Sequence, residues 1–379
     1  MALTLRGVGT VDPQRRVDVR IDGGRIAAVT PAGGAGNGRP LTMVPGCVDL
    51  HVHGGGGASF DALDADEIRA AATYHHRHGT TTMLASLVTA PVERLRRSCA
   101  VLARLAADGV VGGIHLEGPF LSARRCGAQD PRSIIPPDAD LLERLWQDAA
   151  GQIRMVTVAC EHPGALEVIR WCVEHDVLAA IGHTDADADA TRRAVDAGAR
   201  VATHLFNGMP PLHHRDPGPV GVLLDDRRVT CELIFDGDHI AATVARIVVA
   251  AAGPARVAAI TDAIAASGLP DGRYTLGGLD VTARSGVVRL ADGGALAGST
   301  TTMGASLRRV VSWGITLSDA VAMHSTTPAT RLGLQRGFEV GAPADLVLLD
   351  RDLRVQGVLR QGAVVAGLPL SDALAAGHV

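Results

Sequence analysis

Runs rich in Val, Ile, Leu and Thr recur along the chain, most of them followed by a segment of helical length. The runs are 43–52, 80–89, 110–118, 153–161, 177–184, 200–207, 228–236 and 256–263. Helices are predicted between most of them, among them 64–79, 91–109 and 187–199. Eight strands alternating with helices is the pattern of a (β/α)8 barrel, an α/β fold. The link 208–227 is rich in Pro, His and Arg and reads as an extended loop rather than a helix.

The ends of the chain carry a different pattern. Residues 3–31 are turn-rich and β-like, with a hairpin signal at Asp22–Gly23, and 341–367 have the same character. The two β segments are expected to pair into one small accessory sheet. A further β-like stretch, 274–294, follows the eighth run and precedes a helical stretch near 303–313.

Composition narrows the classes of function. With 379 residues, 47% of them apolar, the chain has ample material for a buried core. No run approaches the ~18 uninterrupted apolar residues of a membrane span, so no membrane partner is expected. The opening MALTLRGVGT has no long apolar stretch behind a basic start, so no signal peptide is expected. A formal charge of -4 with scattered arginines offers no basic stripe, which argues against nucleic acid. All 36 basic residues are arginine. Schiff-base, pyridoxal-phosphate and P-loop chemistries each need a lysine amine and are thereby excluded. Six cysteines lie far apart with no C-x-x-C pair, which predicts a reducing cytoplasm rather than a disulfide framework.

Candidate chemistry gathers where strands end, because in such a barrel the loops leaving the C-terminal rim line the site. The first run ends in His51 and His53, and the third in His115 and Glu117. The fifth ends in His183, the sixth in His204 and Asn207, the seventh in Asp236 and His239, and the eighth in Asp262. A single buried histidine is usually a hydrogen-bonded core group; the repetition at strand after strand is what points to a site. Residues i and i+2 of a strand share a face, so His51 and His53 can reach one ion. Glu117, His183 and His204 complete a mixed nitrogen and oxygen set suited to zinc or another divalent ion. Asp262, ending an apolar strand, reads as a general base beside metal-activated water or, alternatively, as the N-cap of the next helix. His75, His76 and His78 are expected to be solvated on a polar helix. Cys47 and Cys231 are expected in the core, and Cys126 as an exposed free thiol.

Taken together, the motifs PGCVDLHVHGGGG (45–57), GIHLEGPFL (113–121), AIGHT (180–184), THLFNGMPPLHHRDPG (203–218), DGDH (236–239), TDA (261–263), LAGSTTTM (296–303) and GAPADLVLLD (341–350) resemble the N-acetylglucosamine-6-phosphate deacetylases of the amidohydrolase superfamily. The resemblance implies a distorted barrel over 46–336 and a small β-sandwich domain from 1–45 plus 337–379. It implies Glu117, His183 and His204 as principal metal ligands and His51 and His53 as a second-metal pair. One or two divalent ions per chain are expected, zinc first, with iron or another divalent ion as alternatives. The lysine-bridged variant of the superfamily is excluded, which favours a bridging glutamate. Asp262 matches the catalytic aspartate, acting as base and then acid in hydrolysis of the acetamide to acetate and an amino-sugar phosphate.

Substrate contacts implied by the resemblance are Ala128, Gln129, Asn207, Gly208, Arg215, the turn Asp236, Gly237, Asp238 and His239, and Leu296, Ala297 and Gly298. Arg215 and His239 suit a phosphate. Gln129 stands where some members carry a histidine that polarises the carbonyl; glutamine can donate a hydrogen bond but cannot become cationic. The resemblance also implies a homodimer acting on a small amino-sugar phosphate. Two alternatives are another metal-dependent amidohydrolase, for a different N-acetyl sugar phosphate or a cyclic amide, and a non-catalytic barrel.

Overall fold

The computed structural model describes residues 2–33 and 41–367, so parts of the expected end domain (1, 34–40 and 368–379) lie outside the described residues. It separates into two compact units, one of Met1–Asp49, Thr73–Thr82 and Thr302–Val379, the other of Leu50–Ala72 and Met83–Thr301.

All eight expected barrel strands are present, in chain order within one sheet: Cys47–Val52, Thr80–Val88, Ile114–Glu117, Ile153–Val158, Leu178–Ile181, Val201–Ala202, Thr230–Ile234 and Val257–Ile260. Neighbours pair in parallel register, for example Val88 opposite Glu117 and Thr157 opposite Ala180. The eighth strand returns to the first: the Asp262 amide donates to the His51 carbonyl and the His53 amide to the Ala263 carbonyl, each at 2.8 Å. The strands read as continuous apolar runs because parallel strands in this architecture are covered on both faces. The sixth strand is shorter than its run suggests, since the backbone turns beyond Ala202, with His204 and Phe206 at positive φ.

Helices follow from capping and apolar spacing. Val92–Ala107 buries Leu95, Cys99 and Leu102, one stripe at i, i+4 and i+7. Asp138 and Asp187 cap Ala139–Asp148 and Ala188–Ala197 by accepting from Leu141 N at 3.0 Å and Ala190 N at 2.7 Å. The expected loop 208–227 is corrected in part, for Gly218–Asp225 is a helix. Pro219 sits in its first turn, where no intrahelical N–H is required, and Val220, Val222 and Leu223 are buried. The helix is short and apolar, so its pattern is not amphipathic and its prolines read as breakers.

The expectation for the helical histidines is also corrected. His75 and His76, at the end of Ala65–Arg77, are buried. His76 Nδ1 lies 2.8 Å from the Thr80 carbonyl and His78 Nδ1 2.7 Å from the Tyr74 carbonyl. The His78 ring N–H satisfies a carbonyl of the last helical turn, and that of His76 reaches the first residue of the following strand.

The chain ends meet in a seven-stranded sheet, in spatial order Ala363–Gly367, Val355–Arg360, Leu346–Leu349, Thr42–Pro45, Leu3–Gly9, Arg16–Asp22 and Arg25–Pro31. Strict alternation along Arg16–Asp22 buries Val17, Val19 and Ile21 and exposes Arg16, Arg20 and Asp22. The sheet folds over, since Ile26 N donates to Ala342 O at 2.9 Å and Gly341 N to Ile26 O at 2.8 Å. Leu5, Val19, Ile26, Met43, Leu346 and Leu359 fill its interior. Each such side chain contributes roughly 1.5–3 kcal/mol when fully buried. The stretch 274–294 forms three antiparallel strands, Gly272–Leu276, Leu279–Arg284 and Val287–Leu290, packed with Val88, Ile264 and Ala297.

Candidate metal centre

Six side chains from five strand ends converge inside the barrel mouth. Glu117 is the last residue of the third strand, while His183, His204 and Asp262 each follow their strand by two residues. Those three share a left-handed backbone, with φ of 45°, 29° and 49°. Such a conformation costs an L-residue on the order of 1–3 kcal/mol and is found where function demands it. Close approach is enforced next door: a Cβ on Gly298, itself at φ 64°, would lie 2.8 Å from the Asp262 carbonyl oxygen.

Glu117 stands at the centre. Its Oε1 lies 3.0 Å from both His183 Nε2 and His204 Nε2, and 3.4 Å from His51 Nε2. Its Oε2 lies 3.2 Å from His53 Nε2. Asp262 Oδ1 is 3.1 Å from His53 Nε2 and 3.5 Å from His51 Nε2. The donor atoms form two triads, His51–His53–Asp262 and Glu117–His183–His204, each with all three atoms within 4.8 Å of one another.

The tautomers bear on what these triads could hold. His183 Nδ1 donates to the Arg125 carbonyl at 2.8 Å and His53 Nδ1 to the Ser86 carbonyl at 3.2 Å, which turns both Nε2 lone pairs inward. Yet His183 Nε2 faces His204 Nε2 at 3.1 Å, and His51 Nε2 faces His53 Nε2 at 3.0 Å. Two lone pairs this close repel unless a proton or a cation stands between them. Tetrahedral bonds of about 2.0–2.1 Å place ligand atoms roughly 3.3 Å apart, close to the spacings seen here. The residues therefore fit a divalent ion in each triad.

Electrostatics agree. Burial opposes charge on Glu117, but positive charge at His51 and the close Nε2 atoms of His183 and His204 outweigh it and hold its carboxyl well below the ordinary range. Asp262 is lowered in the same way by His51 and His53 against its burial. Burial disfavours the charged form of His53, yet Asp262 and Glu117 raise it to about 9. His51 rises well above its usual value, burial being outweighed chiefly by Glu117 and Asp262. These buried carboxylates call for positive charge, from protons or from a metal.

A cavity of about 210 Å³ opens onto these groups. Ala128, Gln129, Asn207, Gly208, His239, Leu296 and Gly298 line it, with Ile234, Leu276 and Ala295 as apolar wall. Arg215, Asp236, Gly237, Asp238 and Ala297 do not. Arg215 is exposed, its guanidinium 2.8 Å from His214 Nε2. Asp236 acts on His239, accepting from its backbone N at 2.9 Å and lying 2.6 Å from its Nδ1. Burial alone would lower the His239 pKa, but Asp236 outweighs it and raises it. Gly237 and Asp238 are the exposed tip of that turn, and Ala297 is buried beneath the wall. His115 is a hydrogen-bonded interior group, 2.9 Å from Ser86 Oγ and 2.8 Å from Thr157 Oγ1. Cys47 and Cys231 are in the core as expected, whereas Cys126 is half-buried rather than exposed.

Gln129 has both ends of its amide engaged. Its Oε1 accepts from Thr89 N at 2.7 Å and its Nε2 donates to Glu117 Oε2 at 2.6 Å. The side chain thus orients Glu117. Sequence reasoning missed Glu232, wholly buried in the seventh strand, whose Oε2 is 3.5 Å from His51 Nδ1. The signal was available: a carboxylate inside the apolar run RVTCELIFD is as costly to bury as Asp262.

The amidohydrolase family matches residues 42–365 of the chain. N-acetylglucosamine-6-phosphate deacetylase of Vibrio furnissii is 36% identical over 93% of this chain and 89% of its own length. N-acetylgalactosamine-6-phosphate deacetylase of Escherichia coli O157:H7 is 37% identical over 92% of this chain and 94% of its own. Among solved structures, N-acetyl-D-glucosamine-6-phosphate deacetylase of Mycobacterium smegmatis superposes with a TM-score of 0.91 at 44% identity, over 97% of this chain and 100% of that one. An aspartate-to-alanine variant of that enzyme has been solved in complex with N-acetyl-D-glucosamine-6-phosphate.

Proposed function

The chain belongs to the amidohydrolase family, and from that premise we propose that it hydrolyses the acetamide of N-acetyl-D-glucosamine 6-phosphate to acetate and D-glucosamine 6-phosphate. The observation that carries this reading is the meeting of Glu117, His183, His204, His53 and Asp262 at one cavity, with His51 buried behind them, in a chain whose relatives over nearly its full length bear that activity by name.

Divalent ions held by the two triads, zinc foremost, would lower the pKa of water toward ~7 and polarise the acyl carbonyl. Asp262 is the group that takes the proton from the attacking water. Burial opposes its ionisation, and positive charge at His51 and His53, whether protons or a cation they hold, opposes burial in turn and keeps the carboxylate ready to act as base. The same oxygen then returns that proton to the departing amine nitrogen. Gln129 keeps Glu117 oriented by donating to its Oε2. Asn207 and the Leu296–Gly298 segment border the sugar. His239, braced by Asp236, and Arg215 on the outer loop are the groups for the phosphate. Among the described residues Arg215 makes no ion pair with a carboxylate; one guanidinium nitrogen meets His214, and the rest of the fork can serve an anion.

The reading brings with it a homodimer in the cytoplasm and catalysis by 46–336. All six cysteines are free, and no helix among the described residues is long and apolar enough to cross a membrane. The galactosamine-specific name of one relative supports a second reading, the epimeric N-acetylgalactosamine 6-phosphate as substrate.

The test is acetate release from both sugar phosphates and from unphosphorylated N-acetylglucosamine, before and after chelation. Turnover on N-acetylglucosamine 6-phosphate, abolished by chelator and restored by metal, is expected. Preference for the galacto epimer would favour the second reading, and inertness toward all three would end both. Arg215→Ala is expected to raise KM for the phosphorylated sugar about 10–100-fold, the scale of one or two lost charge-assisted hydrogen bonds. An equal rise for the unphosphorylated sugar would remove Arg215 from the phosphate site.

A further inference from the structure

The seventh barrel strand, Thr230–Ile234, carries one charged residue, Glu232, with its side chain fully buried. Ile234 lines the cavity, so Glu232, two residues earlier, shares the inward face one layer deeper. Its Oε2 lies 3.5 Å from His51 Nδ1 and accepts from the His204 backbone N at 3.4 Å. Its Oε1 has no hydrogen-bond partner among the described residues. No guanidinium pairs with it among those residues either. An ionised carboxylate placed so is costly unless a cation compensates it.

The four imidazoles are not braced alike. His53 and His183 lean their Nδ1 on the neutral carbonyls of Ser86 and Arg125, and His204 Nδ1 has no partner among the described residues. His51 alone of the four has a carboxylate facing its Nδ1. Charge sharpens the difference. Glu117 and Asp262 together neutralise one divalent ion; a second would bury uncompensated positive charge unless another anion stands close. Glu232 is that anion, on the far side of the His51 ring from the Nε2 that faces His53 and Asp262.

We propose that Glu232 is a positioning residue for the His51–His53–Asp262 triad: it holds His51 with Nδ1–H outward and Nε2 toward the triad, and it supplies the negative charge that makes this triad a binding site for a second divalent cation. The role rests on the two-triad reading of the preceding subsection. It predicts an asymmetry, because Glu117–His183–His204 retains its ion without Glu232 while the His51 side does not. Partners that orient a ligating imidazole typically affect metal affinity 10–100-fold.

The test uses the full chain, stripped with chelator and dialysed to equilibrium against graded free Zn²⁺, with bound metal counted by mass spectrometry. Two ions per wild-type chain are expected. Glu232→Gln, close in shape but uncharged, is expected to keep the first ion at wild-type affinity and to bind the second 10–100-fold more weakly; Glu232→Asp should fall between. If Glu232→Gln does not fold, Glu232→Asp carries the same comparison. Wild-type affinities for both ions in the variant, an equal loss of both, or a wild-type chain that takes only one ion would each overturn the role. Acetate release by the wild type separates this from the function: a deacetylase with unchanged second-ion affinity in Glu232→Gln keeps the function and loses the role. A chain showing the expected metal asymmetry but releasing no acetate keeps the role and loses the function.

Discussion

Two parts of the molecule bury ionised groups, and they solve the problem differently. In the unit formed by the chain ends, Asp345 faces Arg336 at 3.1 Å with both side chains under 8% exposed. The Gln361 amide donates to the other carboxylate oxygen at 2.7 Å. A guanidinium holds its proton at any accessible pH, so that pair is complete without a ligand. In the barrel mouth Glu117, Asp262 and Glu232 face imidazoles, which can shed protons and turn lone pairs toward a cation. Carboxylates paired with arginine serve the fold; carboxylates paired only with histidine are poised for something that binds.

The sharpest break of this comparison is at Asp262. Asp262→Asn is expected to lower kcat by about 10²–10⁴, the range of a lost general base, with the chain folded and the Glu117 triad still metal-loaded. Retained turnover would show that this carboxylate, despite its place, is structural.

At Asp345 the expectation is the reverse. Asp345→Asn strands a buried guanidinium, which costs about 3–5 kcal/mol and should appear as a lower urea midpoint, with kcat of the folded fraction unchanged. Replacing both partners by apolar residues of similar volume should restore most of the loss.

A smaller effect concerns a buried histidine in the unit formed by the chain ends. His324, bonded to Ser306 Oγ at 2.8 Å and the Ala320 carbonyl at 2.7 Å, is pushed down to about 4 by burial. Its folded value lies below the unfolded 6.5, so the unfolded chain takes up the proton first. Its contribution to stability is complete above pH 6.5 and is lost as pH falls toward 4, a change on the order of 3 kcal/mol. Denaturation midpoints across that window should fall with pH in the wild type and flatten in His324→Gln. An unaltered slope in the variant would assign the acid loss elsewhere.

Much of the architecture was legible in the residues. Apolar runs at helix-spaced intervals mark the eight strands, and His51, His53, Glu117, His183, His204 and Asp262 stand out because polar groups end those runs. Glu232 was not read out because its meaning depends on which imidazole faces it across the barrel. His75 and His76 looked solvated because their helix is polar in sequence, yet both are buried. Gln129 was read as a substrate contact and lines the cavity; that its amide is engaged by Thr89 and Glu117, 40 and 12 residues away, was visible only in the fold.

By itself the chain determined its periodicities, the donor chemistry available at each strand end, and, through its lack of lysine, the cations it could not supply. Tertiary structure decided which donors share an ion, which carboxylate braces which ring and which histidines are hidden from water. The reason is distance along the chain. Glu117 meets His183 and His204 at 3.0 Å although 66 and 87 residues separate them, and only closure of a staggered parallel sheet brings such positions to one mouth.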